Sequence, residues 1–281
     1  MQLVEIKPYV RYARYLNLAA DAGFAPHIAY DTRLFYVCEG NGIIEVGGTE
    51  HQMKEGCVLI IHSGVEYYLK PPEKPVRYLA VNFDYTFGHS ENKIPIGPQK
   101  RSLFIPEKTV EDVRFEDATY FNEVLYLTNM QQISHRLVAL EHEYSHLQKF
   151  SELRAGNILS EILIECAREA ESQESASAQQ TAEQIVEYLH ENFVMSMTNQ
   201  DVAELFGFHP NYISSLLKEY TGMPLHRYLT HLRLLHAAKL LDEGALSVTE
   251  IAEACGFRDI YYFSKYFKKM MGISPTDYRK N

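Results

Sequence analysis

The stretch VTEIAEACGFRDIYYFSKYFKKMMGISPTDYR, residues 248–279, decides the fold of the carboxy-terminal part of this chain. Its segment Ile251-Ala-Glu-Ala-Cys-Gly-Phe257 repeats the earlier segment Val202-Ala-Glu-Leu-Phe-Gly-Phe208. The similarity continues further on, where Leu217-Lys218 corresponds to Phe267-Lys268. Self-similarity at a spacing of about fifty residues indicates two copies of one supersecondary unit.

Each copy has the residues that a helix-turn-helix requires. An alanine, Ala203 in the first copy, stands where two helices must approach closely. The glycine that follows, Gly207 in the first copy, favours the left-handed backbone of a tight turn. Phe208 and its counterpart Phe257 are expected to fill the angle between the two helices.

A longer helix is predicted between the two copies. Residues 225–241, LHRYLTHLRLLHAAKLL, have the apolar spacing of such a helix. A rigid spacer of this kind would hold the two units in a fixed relation. Both second helices could then enter successive major-groove segments of one DNA duplex, about 34 Å apart.

These residues resemble the AraC/XylS family of transcription regulators over about the last hundred positions. The most specific part is 248–279, with the pattern I-A, G-F, Y-F, F-K-K, G-x-S-P and Y-R. The resemblance implies an all-α double helix-turn-helix domain over residues 182–281. It also implies a bacterial activator that binds double-stranded DNA in a sequence-specific way and works with RNA polymerase.

The resemblance further implies which side chains contact DNA from the second helix of each copy. Small polar side chains can hydrogen-bond base edges or phosphate, and lysines attract phosphate regardless of sequence. The candidate DNA-binding residues are Asn211, Ser214, Ser215, Lys218, Ile260, Tyr261, Tyr262, Lys265, Lys268 and Lys269.

The overall charge does not favour binding to nucleic acid by itself. The chain has a formal net charge of −10 and a pI of about 5.7. Residues 179–281 hold 10 Lys and Arg against 12 Asp and Glu. DNA binding must therefore rest on local basic clusters, not on global charge.

Residues from about 24 to 128 read as short strands separated by glycine-containing turns. Such closely spaced strands indicate an antiparallel sandwich or barrel. The region also resembles the cupin-like sensor domain of the same family, which implies a ligand-sensing β-barrel over residues 1–130. The matching residues are 24–27, 35–40, Gly56 and 59–64. The expected fold class is thus a two-domain α+β protein, with a helical hairpin after the barrel.

A small-molecule pocket is predicted inside the barrel, because small barrels often hold one ligand. Strand alternation places Arg33, Phe35, Val37 and Glu39 on one face. By resemblance to sugar-sensing relatives, a carboxylate, an amide and aromatic rings would meet a sugar there. The candidate ligand-binding residues are His27, Arg33, Glu39, Tyr67, Ala80 and Asn82.

Two alternatives remain beside the ligand-responsive regulator. One is a cupin-type metal enzyme fused to a DNA-binding module, and the other is a constitutive regulator with a vestigial barrel. Metal-bearing cupins place a His-x-His pair with a nearby carboxylate on one strand, and residues 33–40 contain no histidine. We therefore predict no bound metal, no cofactor and no catalytic residue.

One motif points towards zinc but is interpreted as a chance match. His142-Glu143-Tyr144-Ser145-His146 fits the H-E-x-x-H pattern of metalloproteases. Charged Glu141 and polar Gln148 flank it, where a buried motif helix would have apolar residues. The helical region around it, of about forty residues, is also too short for a peptidase domain.

Residues 131–171 are predicted to form two amphipathic helices joined near Phe150. Apolar residues recur there at helical spacing, at Ile133, Leu137 and Leu140 and again at Ile158 and beyond. We interpret this hairpin as the seam of a homodimer. The polar stretch 172–181 is predicted to be an interdomain linker, because it has no large apolar side chain.

The remaining features favour a protein of the bacterial cytoplasm. Four scattered cysteines form no C-x-x-C pair, which is typical of reduced thiols. No apolar run approaches the ~20 residues that cross a bilayer. The first residues, MQLVEIKPYV, lack the pattern of an export signal. No membrane partner is predicted.

Overall fold

The structure, a computed structural model, describes residues 1–20, 25–91, 97–110, 113–146 and 148–280. Phe24, which belongs to the resemblance quoted above, lies outside the described residues. The chain divides into two compact units, Met1–Gln173 and Glu174–Asn281. None of the helices in the described ranges is both long enough and apolar enough to cross a bilayer.

The first unit is built on strands. Those within the described residues are β1 (Tyr9–Leu18), β2 (His27–Ile28), β3 (Thr32–Glu39), β4 (Asn41–Val46), β5 (Thr49–Lys54), β6 (Val58–Ile61), β7 (Glu66–Leu69), β8 (Val76–Asp84), β9 (Gln99–Lys100) and β10 (Leu125–Leu127). They form two five-stranded antiparallel sheets, in the orders β1-β8-β3-β6-β10 and β5-β4-β7-β2-β9.

The two sheets share one apolar core. Phe35 and Leu59 of the first sheet are buried in the same cluster as Ile44 and Leu69 of the second. The other face of the first sheet contributes residues such as Leu34 to a separate core with the helices that follow. The alternation of side chains along each strand therefore serves two cores at once.

The predicted α+β class with two domains is confirmed, but the sheets do not close into a barrel. Among the described strands, hydrogen-bonded pairs occur within each sheet and not between the two. The chain passes from β3 to β4 through Gly40, which has φ +90°. A Cβ there would lie 2.8 Å from the carbonyl oxygen of Pro75, so glycine makes this sharp corner possible.

The strand region also begins earlier than predicted. Sequence reasoning started it near residue 24, whereas β1 spans Tyr9–Leu18 and pairs with β8 along its length. The register shifts between Val10 and Tyr12, so the burial of β1 does not follow a simple two-residue alternation. This irregularity explains why the strand was missed.

Two helices follow the sheets, α1 (Ser134–His146) and α2 (Ser151–Asn192). The chain turns between them at Phe150, a non-glycine residue with φ +71°. The stripes predicted as a dimer seam are buried within this chain, since Leu137 and Leu140 pack in the core beneath the first sheet. These apolar stripes thus cover the chain's own sheet, and a homodimer seam formed by the hairpin 131–171 stays a prediction.

The segment predicted as a linker, 172–181, is helical and belongs to α2. Its side chains support the helix: Gln179 donates to Glu183 at 3.1 Å, and Thr181 donates to the carbonyl of Ser177 at 2.9 Å. Glutamine, glutamate and alanine are also good helix formers. The two units divide inside this helix, between Gln173 and Glu174, and a linker role for the segment stays a prediction.

The second unit consists of helices: the end of α2, then α3 (Asn199–Phe206), α4 (Pro210–Thr221), α5 (Leu225–Glu243), α6 (Val248–Ala254), α7 (Ile260–Met271) and α8 (Pro275–Tyr278). The helices α3 and α6 both begin with a capping box, formed by Thr198 with Asp201 and by Ser247 with Glu250. The internal repeat therefore extends to the helix starts.

Each helix-turn-helix has its own core, and the two cores differ at one predicted position. Phe257 is buried, as expected, with 6% of its surface exposed. Phe208 is 41% exposed and lies against Tyr212 at the surface, with ring centroids 5.0 Å apart. The first copy has Phe206 where the second has the smaller Cys255, and Phe206 packs into the core instead.

Candidate nucleic-acid interface and ligand pocket

The second helix of the first copy, α4, presents a polar face. Asn211, Ser214, Ser215 and Lys218 lie within about 100° of one another around the helix axis. Asn211, Ser215 and Lys218 are exposed, whereas Ser214 is half-buried. The opposite face is buried through Ile213 and its apolar neighbours. This amphipathic arrangement leaves the polar face available to a partner.

The second helix of the second copy, α7, has a more basic exposed face. Tyr261, which is 84% exposed, shares this face with Lys265 and Lys268. Phe263 and Phe267 occupy the opposite face and are fully buried. An aromatic ring between two lysines can contact bases and phosphates together.

Three of the predicted residues on α7, of which Lys269 is exposed, lie towards the edges of this face. Tyr262 and Lys269 line a groove of about 400 Å³ between α5 and α7. The ring of Tyr262 packs against Tyr266, with centroids 4.3 Å apart, and burial raises its pKa. Ile260 is half-buried at the start of the helix.

A short segment after α2 holds the two copies together, and sequence reasoning missed it. Arg233 of α5 donates from Nε to the carbonyl of Phe193 at 2.6 Å and from Nη2 to that of Met195 at 2.8 Å. The carbonyl of Val194 lies so close to Gly256 that a Cβ there would collide with it. The segment 193–195 thus contacts both the connecting helix and the second turn.

The first unit contains a cavity of about 490 Å³ between its two sheets. This volume lies within the range of small-molecule sites. Five of the six predicted ligand-binding residues line it, together with a set of aromatic and apolar residues. The lining residues are Tyr12, Leu16, Asn17, His27, Arg33, Phe35, Tyr67, Leu69, Tyr78, Ala80, Asn82, Gly97 and Pro98.

The sheet register explains how these side chains meet. Arg33 of β3 stands directly opposite Asn82 of β8, which in turn stands opposite Tyr12 of β1. On the second sheet, His27 of β2 stands opposite Tyr67 of β7. Side chains on paired positions project to the same side of a sheet, so each row faces the cavity.

Arg33 connects the two sheets across the cavity. Its Nη1 donates to the hydroxyl of Tyr67 at 3.0 Å, and its Nε donates to the Oδ1 of Asp31 at 3.1 Å. Asp31 is fully buried, and desolvation raises its pKa to about 6 despite the nearby guanidinium. Burial also raises the pKa of Tyr78 to about 12, so its phenol keeps its proton.

Glu39, the sixth predicted ligand residue, does not line this cavity. The register shifts between Val37 and Glu39, where β3 pairs with β8. Beyond the shift, Glu39 is exposed at the end of its strand. Extending strict alternation from Arg33 through a bulge therefore assigned this carboxylate to the wrong place.

Three lining residues, Tyr12, Leu16 and Asn17, come from β1, which the sequence analysis did not identify as a strand. The density of aromatic and β-branched residues in Tyr9-Val-Arg-Tyr-Ala-Arg-Tyr15, which are enriched in strands, is the signal that could have found it. The pairing of β1 with β8 brings these residues beside Asn82.

The sequence profile described as an AraC-like ligand binding domain matches residues 13–163 of the chain. The chain belongs to the AraC family. A second profile, described as a helix-turn-helix domain, matches residues 202–281 of this AraC-family protein. The two matches cover the unit with the cavity and the unit with the paired helices.

Similar proteins are themselves regulators. YijO of Escherichia coli (strain K12), an HTH-type transcriptional regulator, is 38% identical over 38% of this chain and 38% of its own length. YisR of Bacillus subtilis (strain 168), also an HTH-type transcriptional regulator, is 26% identical over 88% of this chain and 85% of its own length. RhaS of Salmonella schwarzengrund, an HTH-type transcriptional activator, is 39% identical over 34% of this chain and 35% of its own length. The matches to YijO and RhaS thus span little more than a third of those proteins.

The H-E-x-x-H motif of this AraC-family protein lies on α1 with its groups already engaged. The rings of His142 and His146 stack with centroids 4.0 Å apart, and Nδ1 of His146 is 2.9 Å from the carbonyl oxygen of His142. Glu143 forms an ion pair with Arg154 at 3.2 Å. Within the described ranges, no cluster of three or more His, Cys, Asp and Glu side chains could hold a metal. That the protein binds no metal stays a prediction.

Proposed function

We propose that this protein is a ligand-responsive, sequence-specific DNA-binding regulator that activates genes of carbohydrate metabolism. The observation that carries the proposal is the pair of helix-turn-helix copies, in which α4 and α7 each bury one face and expose a polar or basic one. Two such helices on one connecting helix suit successive major-groove segments of a duplex. The ten predicted residues on α4 and α7 are the proposed DNA contacts.

The cavity of the first unit is the proposed effector site. Its aromatic rings suit the apolar C–H face of a sugar, and Asn82 and His27 can hydrogen-bond sugar hydroxyls. The role of activator is supported by the similarity to RhaS, which is named as a transcriptional activator. Effector binding would bias how the helix-turn-helix units are presented to DNA.

The proposed partners are a second copy of the chain, double-stranded DNA, the effector and RNA polymerase. Support for a homodimer comes from large apolar side chains exposed on α1 and α2, among them Val138 and Ile164. The protein acts by binding, without a catalytic step, in the cytoplasm where the bacterial chromosome lies.

Selection of bound duplexes from a random-sequence pool, with the purified full-length protein, tests the DNA-binding proposal. We expect one enriched motif, in which α4 and α7 of each chain contact two segments about one helical turn apart. The affinity for the selected duplex should then be measured over a range of KCl concentrations. Lys265→Ala is expected to weaken binding and to reduce the slope of log affinity against log salt by about 1.

Lys239→Ala serves as the matched control, because Lys239 is exposed on the side of α5 that faces away from the groove with α7. Its salt slope should equal that of the unmodified protein. Enrichment of no motif would refute sequence-specific binding. An unchanged slope for Lys265→Ala would remove that lysine from the interface.

A further inference from the structure

Among the described residues of the cavity lining, the fixed charge is positive. Arg33 is 6% exposed and reaches the cavity from β3, held at Nε by Asp31 and at Nη1 by Tyr67. Among the described lining residues there is no aspartate or glutamate. The predicted carboxylate, Glu39, is exposed elsewhere. Among the described lining residues, Arg33 is therefore the fixed charge that a ligand meets, and its ion-pair partner Asp31 is not part of that lining.

The polar groups of the lining are mainly hydrogen-bond donors or groups that can donate. A guanidinium donates only, and phenol, amide and imidazole groups can each donate. Carboxylates, which accept from the hydroxyls of neutral ligands, are missing from the described lining. Such a set matches a ligand rich in acceptors, and the strongest acceptor for arginine is a planar carboxylate.

The surroundings keep the guanidinium in place and dry. Asp31 is fully buried and is not among the lining residues, so it holds Arg33 without presenting its charge to the ligand. The carbon of the guanidinium lies 6.0 Å from the ring centroid of Tyr67, and the rings of Phe35 and Tyr78 line the same cavity. A buried charge surrounded by rings interacts more strongly with an anion than a surface charge does.

We infer that the effector carries a carboxylate, which Arg33 binds, on a body that packs against Phe35, Tyr67 and Tyr78. The inference rests on the proposed function, in which this cavity is the effector site. Combined with a carbohydrate effector, it names the class as sugar acids such as hexuronates. The carboxylate meets the arginine, the ring C–H face meets the aromatic side chains, and the hydroxyls meet Asn82 and His27.

Isothermal titration of the full-length protein with matched probes tests this inference. The probes are D-glucuronate and D-galacturonate, the neutral sugars D-glucose and D-galactose, and D-glucuronamide, which replaces the carboxylate by an uncharged amide of similar shape. We expect one of the two acids to bind at least about tenfold more tightly than the neutral sugar of the same configuration. If that acid is D-glucuronate, it should also bind more tightly than D-glucuronamide.

Two variants assign the preference to Arg33. Arg33→Gln combined with Asp31→Asn removes both charges of the buried pair together, so neither partner is left as an unpaired charge. This double variant should lose the preference for the acid. Arg77→Gln is the matched control, because Arg77 is an exposed arginine whose guanidinium lies over the ring of Tyr15, outside the cavity lining. It should keep the full preference.

The comparison of acid with neutral sugar on the unmodified protein decides the inference even if the double variant does not fold. Equal binding of a neutral sugar or of the amide overturns it, and so does the absence of binding by both acids. Retention of the preference in a folded double variant also overturns it. Binding of the selected DNA duplex by the same samples tests the proposed DNA-binding function separately from the proposed ligand class.

Discussion

At the scale of single residues, the pair of Asp31 and Arg33 makes the stability of the first unit depend on pH. Burial raises the pKa of Asp31 from its ordinary 3.8 to about 6. The folded protein therefore holds this proton more tightly than the unfolded chain does. The associated stability is fully present below about pH 4 and is lost as the pH rises through 6.

The variant Asp31→Asn should remove this dependence, because asparagine stays neutral throughout. Between pH 4 and pH 7 the unmodified protein is expected to lose on the order of 2–3 kcal/mol of unfolding free energy through Asp31. The variant is expected not to show this loss. Urea unfolding at a series of pH values measures the difference. Glu39→Gln, which neutralises an exposed carboxylate on the same strand, is the control. Parallel pH profiles for Asp31→Asn and the unmodified protein would contradict the prediction.

Irregular strand pairing explains which residues of the ligand site could not be predicted from the sequence. Alternation along β3 correctly put Arg33 and Phe35 on one face, because a regular strand repeats every two residues. It failed for Glu39, where a register shift intervenes, and for β1, whose shift at Val10 and Tyr12 breaks the alternation. Bulges depend on how neighbouring strands pair, and no single strand reveals them.

At the scale of elements, the two helix-turn-helix copies contain the same glycine in different surroundings. Gly207 has φ +74° and Gly256 has φ +79°, so both need the left-handed backbone. A Cβ on Gly207 would meet no atom within 4 Å, whereas one on Gly256 would collide with the carbonyl of Val194. A side chain at either glycine would thus strain the backbone, but only at Gly256 would it also collide with another segment.

Alanine at these two positions should therefore have unequal effects. Gly207→Ala is expected to destabilise the protein by about 1–2 kcal/mol, which is the penalty of a left-handed conformation. Gly256→Ala should cost at least twice as much, since the segment 193–195 must also move. Chemical unfolding followed by circular dichroism measures both, and each variant is the control for the other. Equal losses would mean that the contact with Val194 contributes nothing.

The two helix-turn-helix copies also differ in how their cores are packed, which the sequence repeat predicts only in part. Positions that define the motif, such as Ala203 and the capping boxes, are used alike in both copies. Phe208 and Phe257 are not, because the residues Phe206 and Cys255 before the two glycines differ in size. A repeat predicts the backbone well, but the filling of each core depends on side-chain volumes that the repeat does not conserve.

At the scale of the whole molecule, sequence patterns identified which helices are amphipathic but not what their apolar faces cover. The stripes on α1 and α2 pack under the chain's own first sheet. The polar composition of 172–181 suggested irregular chain, yet the segment continues α2, because its residues suit a helix as well as a linker. Which surface an apolar helix face packs against depends on the rest of the folded chain, and the pattern of the helix alone does not reveal it.

The face of α1 and α2 that remains exposed is therefore the one to test as a dimer contact. Val138 on α1 is 56% exposed, and Ile164 on α2 is 41% exposed. A glutamate at the centre of an apolar interface would bury an unpaired charge, which strongly disfavours association. Val138→Glu and Ile164→Glu, made separately, should each shift the protein from dimer to monomer in sedimentation velocity.

Loss of the dimer should also reduce DNA affinity, because a dimer brings four recognition helices to its site. Linking two binding modules raises affinity by roughly 100-fold or more when both can engage at once. Each variant should therefore bind the full site about 100-fold more weakly but bind an isolated half-site as tightly as before. Leu103→Glu, which places the same charge on an exposed leucine outside α1 and α2, should change neither property. If both variants remain dimeric, the contact between subunits lies on another surface, and a monomer with full affinity would show that one chain occupies the whole site.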